Sequence, residues 1–158
     1  MRKILVLGVG NILLTDDGVG VWAAQKLMEE SWPEGVMIMD GGTFTQDIFH
    51  LLEGYDELLV LDVVHAGLEP GSCFILSEED LVQKESQRLS LHDIDLLDSL
   101  RMAERLGKRP VMRVLGMEPY DISSWNIKLS PVCQAAFSGY LELARKEIVR
   151  LLQKGGAF

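Results

Sequence analysis

The chain has 158 residues, enough for one domain with a sizeable core, and a formal net charge of −9, with 15 Lys and Arg against 24 Asp and Glu. Hydrophobic residues make up 47% and charged residues 25%, an ordinary globular mix. The acidity argues against nucleic acid as a partner, no apolar run is long enough for a membrane span, and Arg2-Lys3 leads into a strand pattern rather than a signal sequence. A single domain over residues 1–158, in the cytoplasm, is expected.

Ile4-Leu5-Val6-Leu7 predicts a buried first strand over residues 3–8. A glycine-rich loop follows, Gly8 to Gly20, with the acid pair Asp16-Asp17. A helix is predicted over 18–30, a second strand over 36–39 ending at Asp40-Gly41-Gly42-Thr43, and a second helix over 45–52. Residues 57–61 read as a third strand closed by Asp62. After a turn at 67–71, residues 72–76 read as a short edge strand able to pair antiparallel. Residues 78–88 are polar. Ser90 or Asp93 opens a helix to about Leu106, with Ile94, Leu97, Leu100 and Leu106 at helical spacing, and Gly107 ends it. Residues 111–115 read as a strand, and Ser130-Pro131 opens a final helix reaching Gln153. Strands alternating with helices predict an α/β three-layer sandwich: a twisted, mostly parallel sheet of about five strands, one of them antiparallel, with helices on both faces.

Gly8 and Gly10 match the first two positions of a dinucleotide fingerprint, but Leu13 stands at the third, and the loop has no lysine for a phosphate-binding loop. A phosphate site also avoids paired negative charges, so Asp16 and Asp17 suit a cation or acid–base chemistry. The competing reading is that one of them caps the next helix. The carboxyl ends of strands one, two and three carry Asp16/Asp17, Asp40 and Asp62. In a parallel sheet these ends share one edge, where open α/β sheets bind ligands. Capping competes most for Asp40, before two glycines, and least for Asp62, followed by Val63-Val64.

His50 falls inside the second helix and reads as a surface or packing residue. His65 lies in the loop after Asp62 and reads as a solvated histidine within reach of the same edge. His92 stands at a helix start, which disfavours its charged form and so favours the neutral imidazole that binds metals. Cys73 and Cys133 form neither a redox pair nor a zinc set and read as small buried hydrophobes. Ile12-Leu13-Leu14 is an apolar stretch beside the acid pair; at least one of these side chains is expected to pack under the loop, and any left exposed could dock a partner.

The chain resembles the [NiFe]-hydrogenase maturation endopeptidases. The blocks that carry the resemblance are Gly10-Asn11-Ile12-Leu13-Leu14-Thr15-Asp16-Asp17-Gly18-Val19-Gly20, Asp40-Gly41-Gly42-Thr43, Leu59-Val60-Leu61-Asp62, His92, Gly116-Met117-Glu118-Pro119 and Leu129-Ser130-Pro131-Val132. They span nearly the whole chain in the family's order, with Val63 where the family usually has Ala. The resemblance implies a hydrolase whose metal ligands are Asp17, Asp62 and His92, with Asp16 and Asp40 in support. Two carboxylates and an imidazole suit a borderline divalent ion with open coordination positions. The implied substrate is the large-subunit precursor of a hydrogenase, whose C-terminal extension is removed after nickel insertion by cleavage after a His or Arg near the last nickel-binding cysteine motif. The nickel would arrive with the substrate, and other divalent cations could occupy the same ligands.

A rival from another class is a response-regulator-like receiver module, which also holds Mg²⁺ with an acid pair after strand one and phosphorylates the Asp ending strand three, here Asp62. Against it, Gly8 to Thr15 separate strand one from the acid pair, and Glu118-Pro119 follows the last strand where a receiver needs lysine. A flavin or nucleotide carrier is opposed by the failed glycine fingerprints.

Overall fold

The computed structural model describes residues 2–43, 49–80, 101, 104–105, 107 and 109–154. β1 (Ile4–Val9) and β3 (Glu57–Val63) are buried along their whole length. That is why both read as unbroken apolar runs: parallel strands covered on two faces need no polar alternation. With β2 (Val36–Gly42), β4 (Cys73–Ser77) and β5 (Val111–Met117) they form a five-stranded sheet in the order β2-β1-β3-β5-β4. β1 pairs in parallel with β2 and β3, and β3 with β5. The expected antiparallel strand is β4, at the edge beside β5.

The connection from β3 to β4 passes over the end of β5 and is fastened there. Val64 N–H donates to the Met117 carbonyl at 3.1 Å, and Gly71 N–H to the Glu118 carbonyl at 2.8 Å. A short connection of this kind can only bring the chain back down the sheet, hence the antiparallel pairing.

β2, β3 and β5 run further than their apolar runs suggested. β2 continues through Asp40 to Gly42, with an irregularity where Gly8 pairs Asp40 and Val9 pairs Gly42. β3 includes Asp62, which pairs Gly116 in β5. Ladder pairing to a neighbour, invisible in a single strand's hydropathy, sets these ends. Asp40 and Asp62 are therefore ladder residues rather than loop residues.

Helices cover both faces. On one, α1 (Val19–Met28) and the long α3 (Pro131–Gln153) bring Val19, Ala23, Leu27, Tyr140 and Ile148 against sheet residues that include Val6 and Leu61. On the other, Leu52 of α2 (Phe49–Leu52) packs with residues such as Leu7 and Val60. The alternation along β1 and β3 is the period of two that a strand imposes. Of the helix predicted before Leu106, Arg101, Glu104 and Arg105 are helical. The rest of it, His92 included, lies outside the described residues. Ser130 caps α3 as its sequence signal indicates: Oγ accepts from Cys133 N–H at 3.5 Å, with Pro131 in the first turn.

At the amino edge of the sheet, the fully buried Glu57 meets Arg2, Arg113 at 3.0 Å and Lys154 at 3.0 Å. Among the described residues no helix is long and apolar enough to cross a membrane.

Candidate functional site

The carboxyl edge of the sheet has one topological switch point. β1 is followed by its neighbour on one side, β2, and the chain then crosses to β3 on the other side. The crevice between the ends of β1 and β3 is where this class of sheet binds ligands. Asp17 lies in the turn after β1 and Asp62 is the last residue but one of β3, so both positions fall at that edge of the sheet.

Glycine makes the approach of the two elements possible. A Cβ on Gly20, in the first turn of α1, would overlap the Leu61 carbonyl oxygen, and one on Gly10 (φ +140°) would overlap that of Asp17. Only residues without side chains let the helix start settle on the end of β3 and the loop fold back on itself.

The acid pair lies on a 3-10 turn, Thr15–Gly18, and neither carboxylate caps a helix: the turn and α1 both start without a side-chain cap. The capping reading is therefore overturned for Asp16 and Asp17. Asp17 is half-buried, and its Oδ2 accepts Asn11 N–H at 2.9 Å, which orients it within its own loop. Asp16 is fully buried and points the other way, into the segment between β5 and α3. Asp62 is fully buried, and its Oδ1 accepts the N–H of Val63 at 2.8 Å. Asp40 is exposed. It accepts Gly42 N–H at 2.9 Å in a side-chain turn and faces Gln25 Nε2 at 3.1 Å. For Asp40 the capping reading is the one realised, on a turn rather than a helix.

Asp40 also borders a cavity of about 350 Å³ between the ends of β1 and β2, lined by Gly10, Asn11, Leu13 and Thr43 among others. A larger groove of about 640 Å³ between α1 and α3, lined by Trp22, Leu129 and Phe137 among others, contains none of the predicted ligands. Of the apolar trio beside the acid pair, Leu13 is 45% exposed, while Ile12 and Leu14 are half-buried.

Among the described residues no three His, Cys, Asp or Glu side chains gather as a ligand group. The third expected ligand, His92, is outside those residues, so of the expected ligand set Asp17 and Asp62 are the members described. His65 is exposed, with Nδ1 3.7 Å from Glu118 Oε2. His50 falls in α2 as expected.

Two residues that sequence reasoning gave no role hold this edge together. Glu118 is 5% exposed, and its Oε1 accepts the N–H groups of Ala66 at 2.8 Å and Leu68 at 3.0 Å, fixing the loop after Asp62. Tyr140, fully buried in α3, donates its hydroxyl to the Leu115 carbonyl at 2.7 Å and lies 3.3 Å from that of Asp62. Burial pushes its phenol well above the ordinary range, so it remains a donor. Neither role shows in local pattern, because their partners lie in distant parts of the chain.

Both cysteines are free, Cys133 buried and Cys73 half-buried. Burial, and then the neighbouring Cys133, pushes the Cys73 thiol up to about 11; burial raises Cys133 too. Neither supplies a thiolate nucleophile near neutral pH.

The family model for HycI, hydrogenase maturation protease, matches residues 21–147. The hydrogenase expression/formation protein HupD of Bradyrhizobium diazoefficiens is 34% identical, over 90% of this chain and 76% of its own length. The hydrogenase 2 maturation protease of Escherichia coli is 31% identical, over 98% and 93%. Among solved structures, the maturating endopeptidase HybD of E. coli superposes with a TM-score of 0.83 at 30% identity, covering 98% of this chain and 94% of that one. HybD of Thermococcus kodakarensis gives 0.74 at 27% identity, covering 92% and 98%. The receiver-module alternative finds no support among these relatives. With a match that runs from α1 into α3 and relatives aligned over nearly the whole chain, this protein belongs to the hydrogenase maturation protease family and is a hydrolase.

Proposed function

We propose that the protein is the endopeptidase that removes the C-terminal extension of a [NiFe]-hydrogenase large-subunit precursor after nickel insertion, cutting after a His or Arg near the last nickel-binding cysteine motif. The observation that carries this reading is the position of Asp17 and Asp62 at the β1/β3 switch point in a chain of this family. Asp17, Asp62 and His92 would hold the nickel, which is part of the substrate; other divalent cations can occupy the same oxygen and nitrogen donors. Asp16 and Asp40 act in support and away from the ion, Asp16 by holding the turn that carries Asp17 and Asp40 by holding the turn that closes β2.

An ion held there supplies positive charge and open positions for substrate groups. The chain's own residues do the rest. Asn11 N–H keeps Asp17 aimed, and Glu118 fixes the loop beyond Asp62. Burial disfavours the thiolate of both cysteines. An acidic edge also complements a cleavage position that follows a basic residue.

The test compares three substrates under one set of conditions: a peptide spanning the cleavage position, metal-free precursor and nickel-loaded precursor. Only the last should be cut efficiently. Efficient cutting of the peptide or the metal-free precursor would make this a general protease with a catalytic metal of its own.

A further inference from the structure

Asp16 neither caps a helix nor shares the direction of Asp17. Its Oδ1 accepts Ser130 N–H at 2.8 Å; its Oδ2 accepts the N–H groups of Tyr120 and Asp121, both at 2.9 Å, and the Ser130 hydroxyl at 2.8 Å. Its own N–H donates to the Asp121 carbonyl at 2.9 Å. Thr15 continues the seam: its N–H donates to the Asn126 carbonyl at 2.9 Å and its hydroxyl to the Ser124 carbonyl at 2.6 Å, while Asn126 N–H donates to the Leu13 carbonyl at 2.9 Å. Thr15 has φ +53°, a left-handed conformation that a β-branched residue keeps only when its surroundings hold it.

The segment so held, residues 120–130, carries side chains that no solvent-facing loop requires. Tyr120 is 70%, Trp125 77% and Ile127 62% exposed, with Leu13 facing solvent across the seam. In a chain of net charge −9 this segment carries only Asp121 and Lys128, and the Asp121 carboxylate is taken up by Ser123 and Ser124 within the loop. Exposed aromatic and aliphatic side chains with little charge are the composition of a protein-binding surface.

We propose that Asp16 is a positioning residue for substrate binding: its carboxylate latches the 120–130 loop to the turn that carries Asp17, and so holds Leu13, Tyr120, Trp125 and Ile127 as one fixed apolar rim on which the folded precursor docks. This rests on the function proposed above. The occupant follows from adjacency. The turn that carries Asp17 is bonded through Leu13, Thr15 and Asp16 to this loop, so a folded protein whose chain reaches Asp17 meets the loop beside it. Asp17 keeps its own hold from Asn11 N–H, so losing the latch acts on docking rather than on the ion.

The experiment is steady-state processing of nickel-loaded precursor by the wild type, Asp16→Asn, Trp125→Ser and Ile127→Ser, with Ni²⁺ affinity by calorimetry and hydrogen exchange of residues 120–130. An amide at position 16 turns one acceptor oxygen into a donor facing N–H groups. We expect KM about tenfold higher or more in each variant, with kcat within about threefold. Ni²⁺ affinity should be unchanged, and exchange over 120–130 faster in Asp16→Asn alone. A fall in kcat or Ni²⁺ affinity at constant KM would put Asp16 in the ion site and overturn the proposal, as would unchanged KM in the two surface variants. If Asp16→Asn does not fold, Thr15→Val, which removes the bond to the Ser124 carbonyl, takes its place. If the wild type fails to cut the precursor, the function falls instead, and the exchange comparison still decides the latch.

Discussion

Asp17 and Asp62 are both held by a backbone N–H on one carboxylate oxygen, and this decides which substitutions isolate their chemistry. Asn keeps that acceptor and removes the charge. Asp17→Asn and Asp62→Asn should therefore abolish processing and weaken Ni²⁺ binding while costing no more than about 1 kcal/mol of stability in urea denaturation. Asp40→Asn should process nearly as the wild type does, because an amide oxygen can still accept Gly42 N–H. Cys73 gives a prediction about alkali. Its pKa is raised from 9.0 to about 11, so its contribution to stability is fully present below 9 and is lost as pH rises through about 11. Denaturation midpoints should fall across that window, less so in Cys73→Ala. Alkylation of native protein at pH 8 should be slow at both thiols.

At the scale of elements, the decisive contact is between the first turn of α1 and the end of β3. Gly20→Ala would drive a Cβ into the Leu61 carbonyl, a backbone atom that cannot move aside. α1 would have to lift, at a cost of about 1–3 kcal/mol, and would carry the Asp17 turn away from Asp62. The expected result is a lower urea midpoint together with weaker Ni²⁺ binding, a pairing the Asn variants should not show. The unusual backbone at Thr15 makes a second prediction. Thr15→Gly relieves a left-handed conformation while losing one hydrogen bond, whereas Thr15→Val keeps the strain and loses the bond. Val should be less stable than Gly by about 1 kcal/mol or more.

Across the whole molecule, the buried ion cluster and the candidate site sit at opposite edges of the sheet. The acids of the candidate site occupy the carboxyl edge, while the buried Glu57 gathers Arg2, Arg113 and Lys154 at the amino edge. Glu57→Gln leaves those cations without their common partner and should cost about 3 kcal/mol. Well below its lowered melting temperature, the variant should process precursor with unchanged kcat and KM. Altered kinetics there would mean that the two edges are coupled through β3.

The sequence by itself determined what depends on neighbours along the chain. The apolar runs of β1 and β3, the Ser130-Pro131 start of α3 and the short return strand at 73–77 were all legible, because burial on two faces, helix capping and a short connection each leave a local mark. So did the placing of Asp16/Asp17, Asp40 and Asp62 on one edge, which follows once the strands are parallel. Only the tertiary structure decided what each carboxylate does there. Asp16 and Asp17 are adjacent and chemically alike, yet one is received by N–H groups 104 to 114 positions away and the other by its own loop. Local pattern allows a helix cap for either. For Asp16 the packing of the 120–130 segment removes that option, because its N–H groups take the buried oxygens; for Asp17 the N–H of Asn11 does so. Glu118 and Tyr140 were illegible for the same reason: a side-chain hydrogen bond to a distant segment leaves no periodicity in the chain that makes it.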